Sequence, residues 1–280
     1  MVLTKQKVRL ITISSSPSIM TLSPRQQRII DKLHATNGVL SSLEITSLFN
    51  VSVQTIRKDL NELSELGHVR RVHGGISLPG NNHNISFSNR TVMNLSAKQN
   101  IARKVATLLP EDSTVFLGIG TTPQHVALAL LDHPGLTVVT NNINVALTLS
   151  NSSKIQTYLA GGLVRPGDQD TMGLETTAFL SKFNIQYGVF GVGGLSSKGQ
   201  LLDFSPEESS VSRVIMENSE RRILVADHSK INRYAPVVTG TLNDIDILVM
   251  DFLSEPYQQA CMGFDSEIIE VGSTSEVLPC

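Results

Sequence analysis

"FNVSVQTIRKDLNEL", Phe49 to Leu63, decides how the first quarter of the chain is read. Val53, Ile56, Leu60 and Leu63 recur at helical spacing, so they are expected to face a core. Gln54, Arg57, Lys58 and Asn61 fall at i, i+3, i+4 and i+7 on the other face. Ser52 stands where a side-chain oxygen caps the first N–H groups of a helix. The helix therefore opens on a small polar turn and carries two adjacent bases one turn later. Gly67 stops it.

Working outward, Ser23 with Gln26 and Ser41 with Glu44 form two further capping patterns. The first opens a helix with Pro24 in its first turn and Ile29, Ile30 and Leu33 on its apolar side. Asn37-Gly38 ends it. The second opens a short helix that runs through Phe49. Downstream, "HVRRVHGGISL" reads as a β-hairpin, with Arg70 and Arg71 on one arm and Gly74-Gly75 at its end.

Three short helices and a hairpin make a winged helix-turn-helix. In that fold the last helix of the turn enters the DNA major groove N-terminus first. Ser52, Gln54 and Thr55 can then reach base edges and phosphates, while Arg57 and Lys58 neutralise the backbone. Arg70, Arg71 and His73 sit where a wing touches phosphate or the minor groove. The plain alternative is a solvated helix face beside a structural hairpin. The capping boxes, the spacing and the wing together outweigh it.

Composition limits the rest. The 280 residues hold 25 acidic and 23 basic side chains, a formal charge of −2, so any nucleic-acid contact must come from a local patch. Hydrophobic residues at 40% and charged residues at 17% are a globular balance. The two cysteines, Cys261 and Cys280, make neither a metal-ligand spacing nor a disulfide framework, so a cytoplasmic protein is expected. No apolar run approaches the roughly 18 residues needed to span a bilayer. No metal and no cofactor are expected.

Residues 1–19 lack a signal-peptide pattern and read as a loose tail or a mis-called start, with the functional protein beginning near Met20. The winged helix-turn-helix is placed at 20–79, and an Asn/Ser/Gly-rich linker at 80–94. An α/β domain for effector binding and oligomerisation fills 95–280. In it, apolar strand-like runs alternate with helical ones from Ser113 onward. They include "TVFLGIG", "LTVVTNN", "IQTYLAGG", "YGVFGVGGL", "RRILVADHS" and "DILVMD". Continuous apolar strands between helices argue a parallel sheet buried on both faces.

Ligands of open α/β sheets bind outside the carboxyl ends of the strands, and small polar clusters occur there. Gly120, Thr121 and Thr122 follow one strand and open a helix, where a phosphate can sit. Asn141 and Asn142 follow the next, Gly161, Gly162 and Arg165 a third, and Lys230 a later one. Their repetition at equivalent strand ends points to a small phosphorylated ligand. Singly, each is more simply a turn or a surface cation. His125 reads as packing, His228 has no evident partner, and Asp168, Asp170, Glu207 and Glu208 read as charged loop faces. No catalytic set emerges.

"VSVQTIRKDLNEL" followed by "VRRVHGGISL" resembles the helix-turn-helix and wing of the DeoR family of bacterial transcriptional repressors. The second half, with "IGTTPQHVALALL", "VTNNINVALTL", "LAGGLVRPGD", "MENS" and "DHSK", is similar to that family's sensor domain, which is related to sugar-phosphate isomerases and deaminases. The resemblance runs from about Met20 to the C-terminus. It implies a homo-oligomeric repressor that binds double-stranded operator DNA and lets go when a phosphorylated metabolite, glycerol 3-phosphate first, fills the sensor. It adds Glu208 to the expected effector contacts. Two residues depart from the family pattern. Gly118 stands where an aspartate is usual before the Gly-Thr-Thr loop, and Ser212 where a lysine is common. Another sugar phosphate, a sensor silent to ligand, or an isomerase-like enzyme are the other readings.

Overall fold

The computed structural model of the protein describes residues 22–35, 39–72, 75–78, 87–261 and 263–272. The tail at 1–19, the wing tip with His73, and residues 79–86 lie outside the described residues.

The N-terminal part runs α1 (Pro24–Ala35), β1 (Val39–Ser41), α2 (Ser42–Phe49), α3 (Val53–Glu65), β2 (Arg70–Val72) and β3 (Gly75–Ser77). Each helix starts at its expected cap. The Ser23 hydroxyl accepts from the Gln26 N–H at 3.2 Å, and Gln26 Oε1 accepts from the Ser23 N–H at 2.8 Å. Ser41 and Glu44 close the same reciprocal pair, and Ser52 Oγ accepts from the Thr55 N–H at 3.2 Å. Ile29, Leu33, Ile45, Ile56, Leu60 and Leu63 form the fully buried centre of this part. Arg25 grips Asp59 through two hydrogen bonds of 2.5 and 3.0 Å and ties α1 to α3.

Two expectations change here. Val53 is 45% exposed, because the packing stripe of α3 begins one turn later at Ile56. The wing is not a lone hairpin: β1 pairs with β3, giving a three-stranded antiparallel sheet in the order β1-β3-β2. Gly75 permits this close approach, since a Cβ there would stand 2.1 Å from the Leu40 carbonyl oxygen.

The stretch read as linker is helical in its described second half, α4 (Phe87–Val92), and leads into α5 (Leu95–Leu108). Next come β4 (Ser113–Leu117), α6 (Thr121–Ala129), β5 (Leu136–Thr140), α7 (Ile143–Leu149) and β6 (Ile155–Leu159). The hairpin β7 (Leu163–Arg165) and β8 (Asp170–Met172) precedes α8 (Leu174–Leu180), β9 (Ile185–Phe190), β10 (Gly194–Leu195) and β11 (Gln200–Asp203). The chain ends through α9 (Pro206–Glu217), β12 (Ser219–Ala226), β13 (Val237–Thr241), β14 (Ile247–Met250), α10 (Glu255–Cys261) and β15 (Glu267–Glu270).

Seven of these strands form a parallel sheet in the order β15-β14-β12-β9-β4-β5-β6. Alternate residues feed two cores. Val115, Leu117, Val189, Ile223 and Val249 pack with Ile101, Val105, Val126 and Val145 of α5, α6 and α7. Phe116, Phe190, Leu224 and Leu248 pack on the other face with Leu180, Val211 and Ile215 of α8 and α9. Burial on both faces is why these strands read as unbroken apolar runs. From β4 the chain winds outward one way through β5 and β6, then returns and winds the other way from β9. The order therefore reverses between β4 and β9, the place where doubly wound sheets open a crevice.

Candidate functional site

The crevice at that reversal is lined by the loop after β4, from Ile119 to Pro123, and by the loop after β9, from Gly191 to Gly193. Gly120, at φ +110°, caps α6 without a side-chain hydrogen bond. The first N–H groups of α6, at Thr121 and Thr122, thus face the crevice without an acceptor from their cap, which suits an anion. Asn142 shows the contrast. Its side-chain oxygen accepts from the N–H groups of Asn144 and Val145 at 3.0 and 3.3 Å, so α7 is closed by its own cap.

Two lobes of different character meet at this loop and share Arg90, Thr121 and Lys230. One is cationic. Arg90, Lys98, Lys230 and Arg233 line it together with Asn94, Thr121, Ser229 and a single carboxylate, Asp227. Lys98 donates to the Met93 carbonyl at 2.6 Å and to that of Arg90. Burial, with Arg90 nearby, pushes Lys98 down to about 8 although Asp227 opposes it. Burial and the charge of Arg233 hold Lys230 well below the usual lysine range. Burial and Arg90 lower Arg233 to about 10. Asp227 is itself buried, yet Lys230, Ser229, Lys98 and Asn94 keep it below the usual carboxylate range. Among the described residues no hydrogen bond or ion pair ties up the Lys230 ammonium. Burial and neighbouring positive charge thus lower all four cations, Arg90, Lys98, Lys230 and Arg233, a setting that an anion would relieve.

The turn that carries Lys230 is well anchored. Asp227 Oδ1 accepts from the Ser229 N–H at 3.0 Å and from Asn94 Nδ2 at 2.8 Å. His228, which lacked an evident partner in the sequence, donates its N–H to Asp251 at 2.7 Å and sets its ring Nδ1 2.5 Å from the same carboxylate. His228 thereby pins the turn.

The other lobe is mixed. Three carboxylates, Asp168, Asp203 and Glu208, line it with Arg90, Arg165, Lys230 and Phe204. Burial raises Asp203 to about 6, against hydrogen bonds from Thr239 and the Gly193 N–H. Glu208 Oε2 accepts from the Phe204 N–H at 2.9 Å. Arg165 sits among carboxylates: it donates to both oxygens of Asp170 at 3.0 and 2.6 Å, pairs with Glu208, and lies 3.6 Å from Asp168. Burial works against its charge, but these partners outweigh burial and raise its pKa.

The expected effector residues therefore divide. Gly120, Thr121, Thr122, Arg165, Glu208 and Lys230 line the crevice. Arg165 does so as the hub of an ion-pair network, not as an open phosphate cation. Asn141, Asn142, Gly161 and Gly162 do not line it. Both asparagines are fully buried, and Asn141 donates to the Thr171 carbonyl at 2.8 Å. Gly161 accepts from Thr176 Oγ1, and a Cβ on Gly162 would stand 2.3 Å from that same hydroxyl. These four close the β5, β6 and β7 loops. Asp168, read from sequence as a surface charge, is part of the site, as are Arg90, Lys98, Asp203 and Arg233, which no motif marked.

Neither departure from the family pattern reaches the crevice wall. A Cβ on Gly118 would meet Phe190 Cβ at 3.1 Å, and Ser212 is buried on α9. On the N-terminal part, Ser52, Gln54, Arg57, Lys58, Arg70 and Arg71 are exposed and Thr55 half-buried, as a groove-facing surface requires. Arg70 also lies over the Tyr234 ring at 5.8 Å, one residue beyond Arg233.

The sequence itself matches two family models, a DeoR-like helix-turn-helix domain over residues 25–81 and a DeoR C-terminal sensor domain over residues 93–252. The chain is 42% identical to the glycerol-3-phosphate regulon repressor of Escherichia coli K12 over 232 residues, covering 83% of this chain and 92% of that one. It is 42% identical to the repressor of the same name from Haemophilus influenzae, over 82% and 89% of the two chains. The transcriptional repressor CsqR of E. coli K12 is 35% identical over 84% and 89%. Among solved structures, the translation initiation factor eIF-2B of Pyrococcus horikoshii OT3 aligns over 77% of this chain and 67% of that one, with a TM-score of 0.43 and 12% identity. The two family models and the 42% identity together show that the chain belongs to the DeoR family of transcriptional regulators.

Proposed function

We propose that the protein is a cytoplasmic, homo-oligomeric repressor that leaves its operator when a small phosphorylated polyol, glycerol 3-phosphate first, fills the crevice between β4 and β9. The observation that carries this reading is the polarity of the crevice. A cationic lobe at an uncapped helix N-terminus suits a phosphate dianion, and the three carboxylates of the mixed lobe one step away suit hydroxyl donors. A molecule with a phosphate at one end and hydroxyls at the other spans both. Relatives at 42% identity that are named glycerol-3-phosphate regulon repressors support the same ligand.

The chain acts as a regulator, not an enzyme. Of the three carboxylates on the crevice, Glu208 and Asp168 are held in ion pairs with Arg165 and Arg90, and Asp203 is buried and bound by Thr239 and the Gly193 N–H. A base held in an ion pair has little drive to take a proton from carbon.

On the DNA side, Gln54, Thr55, Arg57 and Lys58 would enter the major groove, with Arg71 on the wing; the exposure of Gln54, Arg57, Lys58 and Arg71 supports this. The half-exposed Val53 adds an apolar contact of the kind that reads a thymine methyl. Arg70 links the two halves. Its guanidinium cannot serve DNA and rest on Tyr234 at once, and Tyr234 adjoins Arg233 of the cationic lobe. Ligand that draws in Lys230 and Arg233 shifts this contact, and with it the wing. A tenfold loss of operator affinity needs about 1.4 kcal/mol of such coupling. Fluorescence anisotropy on upstream DNA, with glycerol 3-phosphate and then hexose and pentose phosphates, tests the reading. Release by a hexose phosphate alone would move the effector; release by none would leave a DNA-binding protein with a silent sensor.

A further inference from the structure

We propose that the sheet edge formed by β6, β7 and the start of α8 is the surface on which a second copy of this chain docks. The proposal gives the oligomer of the functional reading a location. The two ends of the seven-stranded sheet are unlike. At one end, β15 carries Glu267 and Glu270, the charges by which edge strands discourage pairing. At the other, β6 and the chain after it hold no charge from Ile155 to Val164.

That uncharged edge is also apolar and open. Leu174 is 84% exposed, Leu163 77%, Val164 51%, Leu159 44% and Tyr158 38%. They cluster along one stretch of chain at this edge: Leu163 pairs with Met172 in the hairpin, Leu174 follows Met172 by two residues, and Tyr158 and Leu159 flank the edge strand on its two faces, the Tyr158 ring packing on Phe183 at 5.3 Å. Together they leave on the order of 500–600 Å² open, the top of what an isolated chain shows. A standard interface buries about 800 Å² per partner, so this patch with the β6 backbone approaches what a dimer needs.

A second copy fits better than an unlike partner. An uncharged strand edge is complementary to itself under a two-fold axis, and antiparallel pairing of β6 with its mate satisfies both rows of backbone groups. A two-fold pair also supplies the two reading heads of a helix-turn-helix dimer. The same hairpin faces the crevice. β7 and β8 set Leu163, Arg165, Asp170 and Met172 on one face of the hairpin and Val164 and Thr171 on the other. Ligand that loosens Arg165 from Glu208 therefore acts on the strand that carries Leu163 and Val164.

Sedimentation velocity on full-length protein, without DNA or ligand, tests this. Leu163→Asp with Leu174→Asp should raise the dimer dissociation constant at least 100-fold, while Ile268→Asp at the β15 edge leaves it unchanged. Hydrogen exchange gives a readout that needs no variant: amides of residues 155–164 should slow as wild-type concentration rises. A double variant that keeps the wild-type mass, or exchange at 155–164 independent of concentration, overturns the proposal. Anisotropy on a single half-site separates the two readings. Half-site binding retained by the double variant leaves the DNA-binding function standing, whatever the fate of the interface.

Discussion

Replacing Lys230 with alanine should cost the effector far more than it costs the operator. The lysine lines both lobes of the crevice, on a turn fixed by Asp227 and by the His228–Asp251 pair. Its ammonium makes no hydrogen bond within the described protein, so its removal costs the fold only the attraction to Asp227, which keeps Ser229, Asn94 and Lys98 around it. A hydrogen bond to a charged partner contributes about 1.5–3 kcal/mol. Losing one therefore weakens phosphate binding roughly 10- to 150-fold. Titration calorimetry with glycerol 3-phosphate reads that loss, and anisotropy without ligand should show operator affinity within twofold of wild type. A pH series adds an independent arm. Burial holds Lys98 down at about 8, and a bound phosphate would raise that value. Wild-type affinity should then fall as pH rises through 8, with proton uptake on binding in that range. Equal ligand affinity in Lys230→Ala, or a flat profile from pH 7 to 9, would refute the placement of the phosphate.

Other consequences are as specific. Lys58→Ala should flatten the slope of log affinity against log salt by about one unit on any DNA; an unchanged slope means Lys58 does not face phosphate. Gly162→Ala should lower stability by about 1–3 kcal/mol, seen in urea melts, because φ is +144° and the new Cβ meets Thr176 Oγ1 at 2.3 Å and the Met172 carbonyl at 2.7 Å. Asp203 is raised to about 6 in the folded chain, so that state holds its proton where the unfolded chain has lost it. Its contribution is present below pH 4 and is lost as pH rises to 6. Asp203→Asn should remove that part of the slope of stability against pH.

Local signals in the chain were legible and distant ones were not. Three helix caps and the stripe on α3 depend on neighbours three or four residues apart, so the winged helix-turn-helix follows from the sequence directly. The parallel sheet was legible because two-sided burial leaves unbroken apolar runs. Arg165 reads in the sequence as an open cation, and its pairing shows only in the fold, which brings Glu208 from 43 residues away to join the nearby Asp170. Asn142 looked like a ligand contact and is a helix cap, two uses of one side chain that a sequence cannot separate. Arg90, Lys98 and Arg233 carry no motif. They converge because α4 and α5 fold back on the turn after β12, at the end of a stretch whose composition reads as linker. Val53 fell on the apolar stripe by spacing and outside it by position, being the first residue of its helix.

The central claim is that occupancy of this one crevice governs the grip on DNA. The most direct measurement is operator affinity at two salt concentrations, with and without glycerol 3-phosphate, for wild type and Lys230→Ala. The account predicts specific wild-type binding that weakens at least tenfold with ligand, and a variant that binds the same DNA but needs far more ligand to let go. Ligand that releases both proteins at the same concentration, or releases neither while DNA binding stays specific, would contradict it.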